Sequence, residues 1–65
     1  MLYEIIIRGY IQEKWFEGFT MTRQADFNTK LRGYLMDQSA LYGVLRTIHD
    51  LGLDLISVNR MDDGE

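Results

Sequence analysis

The residue pattern predicts an α+β fold: a small, mostly antiparallel sheet of about four strands with one main helix on one face, in the order β-β-β-α-β. Three observations carry this prediction. Asp37 stands where an N-cap acceptor belongs, and Leu41, Val44, Leu45, Ile48 and Leu51 then recur at the three- and four-residue spacing of a single helix face. Gly52 stops that pattern, and Leu53 to Met61 follows as an alternating strand. Near the start of the chain, the β-branched run Ile5-Ile6-Ile7 favours an extended backbone.

Taken in order, Tyr3, Ile5, Ile7 and Ile11 fall on one face of the first strand and Glu4, Ile6, Arg8 and Tyr10 on the other. Gln12 to Gly18 is polar and aromatic, long enough for one helical turn, and closed by glycine. Its length favours an antiparallel return, because a parallel crossover takes about a dozen residues or more. Phe19 to Gln24 and Asn28 to Met36 alternate as the arms of a hairpin; Ala25 to Asn28 supplies the turn, with Asp26 and Asn28 suited to its tight conformations. The result is a three-stranded meander, after which the helix carries the chain back and sets the fourth strand beside the first through a right-handed crossover. The same order also suits a ferredoxin-like βαββαβ domain whose first helix has shrunk to a single turn. Residues 1–61 form one domain, and 62–65 an acidic tail that frays.

Composition narrows the functions. A chain of 65 residues buries only ~60% of the surface its unfolded form exposes, and a core this small supplies about 3–5 kcal/mol unless disulfides, a metal or a second subunit add to it. Cysteine is absent, and the single histidine, His49, has no partners at ligand spacing. No cofactor or metal is expected, and oligomerisation remains. Lys+Arg 7 against Asp+Glu 10 gives a net charge of −3, the wrong sign for a phosphate backbone. No apolar run is long enough to span a membrane, so the expectation is a soluble, cytoplasmic chain.

Catalytic chemistry finds little support. Ser39 and Ser57 have no histidine placed to activate them, and Glu4, Glu13, Glu17, Asp26, Asp50 and Asp54 form no acid and base pair. His49 lies near the helix C-terminus, where its charged form interacts favourably with the dipole. An enzyme is not expected.

The strands point elsewhere. One helix covers one face of a sheet, yet the first, third and fourth strands read as apolar on both faces. Ile6, Tyr10, Tyr34 and Met36 are left on the second face, joined by Leu55 or by Ile56 and Val58. Trp15 and Phe16 either fold over part of that patch or join it. The candidate interface is therefore Ile6, Tyr10, Trp15, Phe16, Tyr34 and Met36, closed by a second copy of the chain. Gly43, inside the helix, suggests close contact with the sheet or another helix. Arg8-Gly9-Tyr10 and Arg32-Gly33-Tyr34 repeat a tripeptide at matching places in two strands. They read as kinks that accommodate Trp15 or a neighbouring subunit, with a ligand groove as the other reading.

The run Asp37-Gln38-Ser39-Ala40-Leu41-Tyr42-Gly43-Val44-Leu45 continues through Ile48, Asp50-Leu51-Gly52-Leu53 and Ser57-Val58. With Trp15, Phe16 and Gly18 it resembles a family of short, uncharacterised bacterial proteins over nearly the whole chain. Tyr42 stands where many members have histidine, and Phe27-Asn28-Thr29 where aspartate-glycine is common; the resemblance implies no activity. Asp37 to Val58 is also similar to one strand-helix-strand half of ACT regulatory domains, which dimerise through their sheets and bind amino acids at the interface. That likeness implies a small-molecule-sensing module as the alternative. The leading expectation is a homodimeric interaction or accessory module, with room for a further protein partner.

Overall fold

The computed structural model describes residues 1–61; the frayed tail expected at 62–65 lies outside the described residues. Its elements are β1 (Leu2–Arg8), β2 (Thr20–Gln24), β3 (Asn28–Tyr34), α1 (Gln38–Asp50) and β4 (Asp54–Met61), with short 3-10 turns at Glu13–Trp15 and Ala25–Phe27. The α+β class and the β-β-β-α-β order of the main elements are as the pattern predicts.

The helix forms where its signals stand. The Asp37 carboxylate accepts the Ala40 N–H at 2.9 Å, satisfying one of the donors that a helix start leaves unpaired. At the far end Gly52 takes φ +75; its N–H donates to the His49 carbonyl and the Leu53 N–H to the Ile48 carbonyl, the paired bonds of a Schellman stop. Leu41 and Ile48 are buried, and Val44, Leu45 and Leu51 pack against the same core.

The sheet corrects the meander. Its order is β2-β3-β1-β4, and every neighbouring pair is antiparallel. β1 pairs with β3 and not with β2, so β1 and β2 run parallel with β3 between them, and β3 and β4 run parallel with β1 between them. This is the split β-α-β connection used twice, the ferredoxin-like arrangement with its first helix reduced to the turn at Glu13–Trp15. The connector is longer than the sequence suggests because β1 stops at Arg8 and β2 starts at Thr20. Residues 9–19 come close to the length that a crossover needs. Gly9, at φ +117, turns the chain out of the sheet there. Its N–H donates to the Phe27 carbonyl at 2.7 Å, and its carbonyl accepts from Oγ1 of the fully buried Thr29 at 2.6 Å. The fourth strand lies beside the first, as expected.

The register also corrects the reading of the second face. Tyr3, Ile5 and Ile7 share the helix side with Gly33, Leu31 and Thr29 of β3. On the open side Glu4 pairs with Arg32 and Asn59, and Ile6 with Lys30 and Ser57. β1 is thus apolar on both faces; in the middle of the open face its neighbours are polar, and only at one end does Leu2 meet apolar neighbours, Tyr34 and Met61. An antiparallel sheet can face water in this way. Lys30 Nζ lies 3.8 Å from Glu4 Oε2 across that face.

Phe16 supplies what the missing helix would. It is 4% exposed and belongs to the core cluster with Tyr3, Ile5, Ile7, Leu31, Leu41 and Ile48, on the helix side of the sheet and not the open side. Its ring meets Phe19 edge-on, with centroids 6.4 Å apart. Trp15, one residue earlier on the 3-10 turn, points outward at 49% exposure.

Candidate functional site

The residues expected at one interface are distributed over three regions. Phe16 is in the core. Ile6 and Tyr34 lie on the open face, half-buried and exposed respectively, and Met36, 90% exposed, follows the end of β3. Tyr10 sits beyond the opposite end of β1 from Tyr34, and Trp15 belongs to the connector. The structure does not bring these six together.

Two of the glycine readings are corrected as well. Gly9 and Gly33 do not play matching parts: the first sits in a left-handed turn past the strand, the second lies within β3 beneath Phe19. A Cβ at Gly33 would fall 3.0 Å from Phe19 Cδ2 and 3.2 Å from the Gly18 carbonyl, so Phe19 and not Trp15 requires the bare backbone. Gly43 is exposed on α1, and a Cβ there would meet nothing within 4 Å, so it makes no close contact with the sheet.

What the structure does assemble begins with an aromatic corner at the hairpin. Asp26 and Phe27 both take positive φ, 64 and 65 degrees, whereas Asn28, expected to do so, is extended. A bulky residue in that region is strained. The Phe27 ring packs on Tyr10 with centroids 4.5 Å apart, the Arg23 guanidinium lies 4.8 Å from the Tyr10 centroid, and the Tyr10 hydroxyl donates to the Gln24 carbonyl at 3.1 Å. Beside this corner runs an open groove of about 660 Å³, lined by Tyr10, Ile11, Gln12, Glu13, Met21 and Arg23. It offers one carboxylate, one guanidinium already stacked on an aromatic ring, and apolar walls. Those groups can hold a small polar molecule but do not form an acid and base pair. The sequence signal for the corner was weak, because Phe27 in a left-handed turn runs against residue preference.

The second feature is the free edge of β4. Its ladder with β1 shifts register between Ile6 and Ile7, so that Ile56 is an extra residue between Leu55, opposite Ile7, and Ser57, opposite Ile6. Leu55 and Ile56 are 47% and 50% exposed, side by side on an edge strand. A period-two alternation cannot show such a bulge, although it does show apolar residues at 55, 56 and 58.

Among the described residues, no group of three or more His, Cys, Asp or Glu is placed to hold a metal ion, and no helix is long and apolar enough to cross a membrane. His49 is exposed near the end of α1, and Arg46 Nε lies 3.9 Å from Asp50 Oδ2 on the solvent side. Fold and surface together define a small α+β domain of the split β-α-β type, with one full helix, a largely polar sheet face and an apolar step on one free edge. The chain belongs to the family described as a domain of unknown function, DUF8691, whose model matches residues 2–59. No curated protein and no solved structure matches it.

Proposed function

We propose that this domain is a non-catalytic interaction module that works as a homodimer. The observation that supports it most is the apolar surface left outside a small core: Leu55 and Ile56 lie adjacent on β4, each about half exposed. A domain of this size gains little stability from its own burial. A second copy would add apolar area without requiring disulfides or metal, and a closed twofold pair is the commonest way to do so. The sequence reading placed this contact on the open sheet face. The polar pairing of Glu4, Lys30, Arg32 and Asn59 there favours an edge instead.

Light scattering coupled to size exclusion tests the proposal, over protein concentrations from about micromolar to millimolar. The expected mass is twice the 7.7 kDa of the chain. A single-chain mass at the highest concentration would overturn it.

The groove beside Tyr10 supports a second reading, a module that senses a small polar molecule, because Glu13 and Arg23 offer opposite charges along an apolar wall. A thermal-shift panel of amino acids tests it. A rise in melting temperature that is lost in Arg23→Ala supports this reading, and uniformly unchanged melting rejects it.

A further inference from the structure

We infer that two copies of this chain join by antiparallel pairing of β4 with β4, about a twofold axis at Ser57, to make one continuous sheet. This rests on the self-association proposed above and names its surface.

The phase of the ladders sets which groups are free. Met1 and Leu35 exchange backbone bonds of 2.8 and 2.7 Å, and the Gly9 N–H bonds to the Phe27 carbonyl, so the odd-numbered residues of β1 bond toward β3. The even-numbered residues then bond toward β4, where Leu2, Glu4 and Ile6 face Met61, Asn59 and Ser57. The N–H and C=O groups of Val58 and Arg60 therefore point away from the sheet, a ready template for another strand. The opposite edge is less suited. β2 has five residues, its exposed side chains are Thr20, Thr22 and Arg23, and the Tyr10 to Glu13 stretch runs alongside it. β4 has eight residues and carries the apolar step.

A twofold axis at Ser57 makes this edge self-complementary. Counting outward from it, Val58 meets the partner's Leu55 and Ile56, with the bulge taken as one step, and Asn59 meets the partner's Asp54. Each pair falls on one face. Val58 and Leu55 share the helix side, opposite Ile5 and Ile7, while Asn59 and Asp54 share the open side, opposite Glu4 and Arg8. Apolar groups meet apolar groups, and an amide donor meets a carboxylate acceptor, twice by symmetry. Asp54 and Arg60 cancel within the strand, so the net charge of −3 is not concentrated at the seam. Moving the axis to Val58 would set Arg60 against the apolar step and Met61 against Asp54, a poorer match.

The chain has no cysteine, which makes the test direct. The Ser57 amide and carbonyl point toward β1, so Ser57 and its symmetry mate form a non-hydrogen-bonded pair, with Cα atoms about 4.5 Å apart, within disulfide reach. Under mild oxidation Ser57→Cys is expected to form a covalent dimer at least ~10-fold faster than Thr22→Cys, on the far edge. Ile56→Lys, at a half-exposed position that leaves folding intact, is expected to raise the dimer dissociation constant on the order of tenfold or more. If Val58→Cys cross-links faster than Ser57→Cys, the axis is misplaced and the register is overturned. If the protein is a dimer, Ser57→Cys does not cross-link and Ile56→Lys stays dimeric, the surface is overturned while self-association stands. A monomeric parent chain overturns both.

Discussion

Gly43→Ala measures whether the outer face of α1 is free. Glycine in a helix interior costs about 0.8–1.0 kcal/mol relative to alanine, because the unfolded chain gives up more freedom and the folded chain gains no contact. Two observations show that nothing offsets this gain at position 43. The backbone there is helical, inside α1, and a Cβ would meet no atom within 4 Å. The Gly43 carbonyl accepts the Thr47 hydroxyl at 3.1 Å, a bond that a methyl group leaves untouched. Alanine should therefore stabilise by close to the full ~1 kcal/mol, which for a domain of this size raises the melting midpoint by about 4–8 °C. Urea unfolding at fixed protein concentration reads it as a higher midpoint with an unchanged slope. No gain, or a loss accompanied by a fall in solution mass, would refute the reasoning, because the missing side chain would then be making room for a second molecule against the helix.

Other substitutions test the interior. Phe16→Ala should cost about 3–5 kcal/mol, enough to leave the chain largely unfolded at 37 °C by circular dichroism, whereas Trp15→Ala next to it should cost under ~1 kcal/mol. Gly33→Ala should destabilise by about 1–3 kcal/mol in urea through the 3.0 Å approach to Phe19, and by less when Phe19→Leu is added. Asp37→Ala removes the 2.9 Å cap bond and should lower stability by about 1 kcal/mol, with the loss of protection in hydrogen exchange concentrated in the first turn of α1. Thr29→Val leaves the half-buried Gly9 carbonyl without its 2.6 Å donor, and denaturation should show a cost of about 1 kcal/mol.

The helix was legible in the sequence because everything that defines it is local. Asp37, the apolar stripe and Gly52 lie within one short run, and each does in the structure what its chemistry suggests. The sheet order was not legible, because it depends on bonds between distant residues. Gly9 leaves β1 early, and Phe27 and Thr29 hold it there from the other side of the hairpin. Reading the first strand on through Ile11 shortened the connector and favoured a meander. The second face was legible only in part: Ile6 and Tyr34 do lie on it, but Leu55 and Val58 of β4 do not join them. Ile6 and Val58 look alike as strand residues, but the register sets Ile6 among Lys30 and Ser57 on one side and Val58 against Ile5 on the other. Adjacent aromatics posed a similar problem: Trp15 and Phe16 point apart on a 3-10 turn, so one is core and the other surface. Of the candidate surface, Leu55, Ile56 and Val58 were visible as apolar residues, but the bulge that groups the first two was not.

The central place of β1 has a kinetic consequence. Leu2 pairs with both Tyr34 and Met61, so each ladder of the central strand closes a long loop of chain before it returns any stabilisation. Such a topology has a high contact order and folds slowly for its length, while α1 and the β2–β3 hairpin can form early and locally. A chain shortened before β4 would make β1 an edge strand, with the bonding groups of Leu2, Glu4 and Ile6 left open. The domain should therefore assemble in one cooperative step, with the amides of Ile5 and Ile7 exchanging with solvent only through global unfolding.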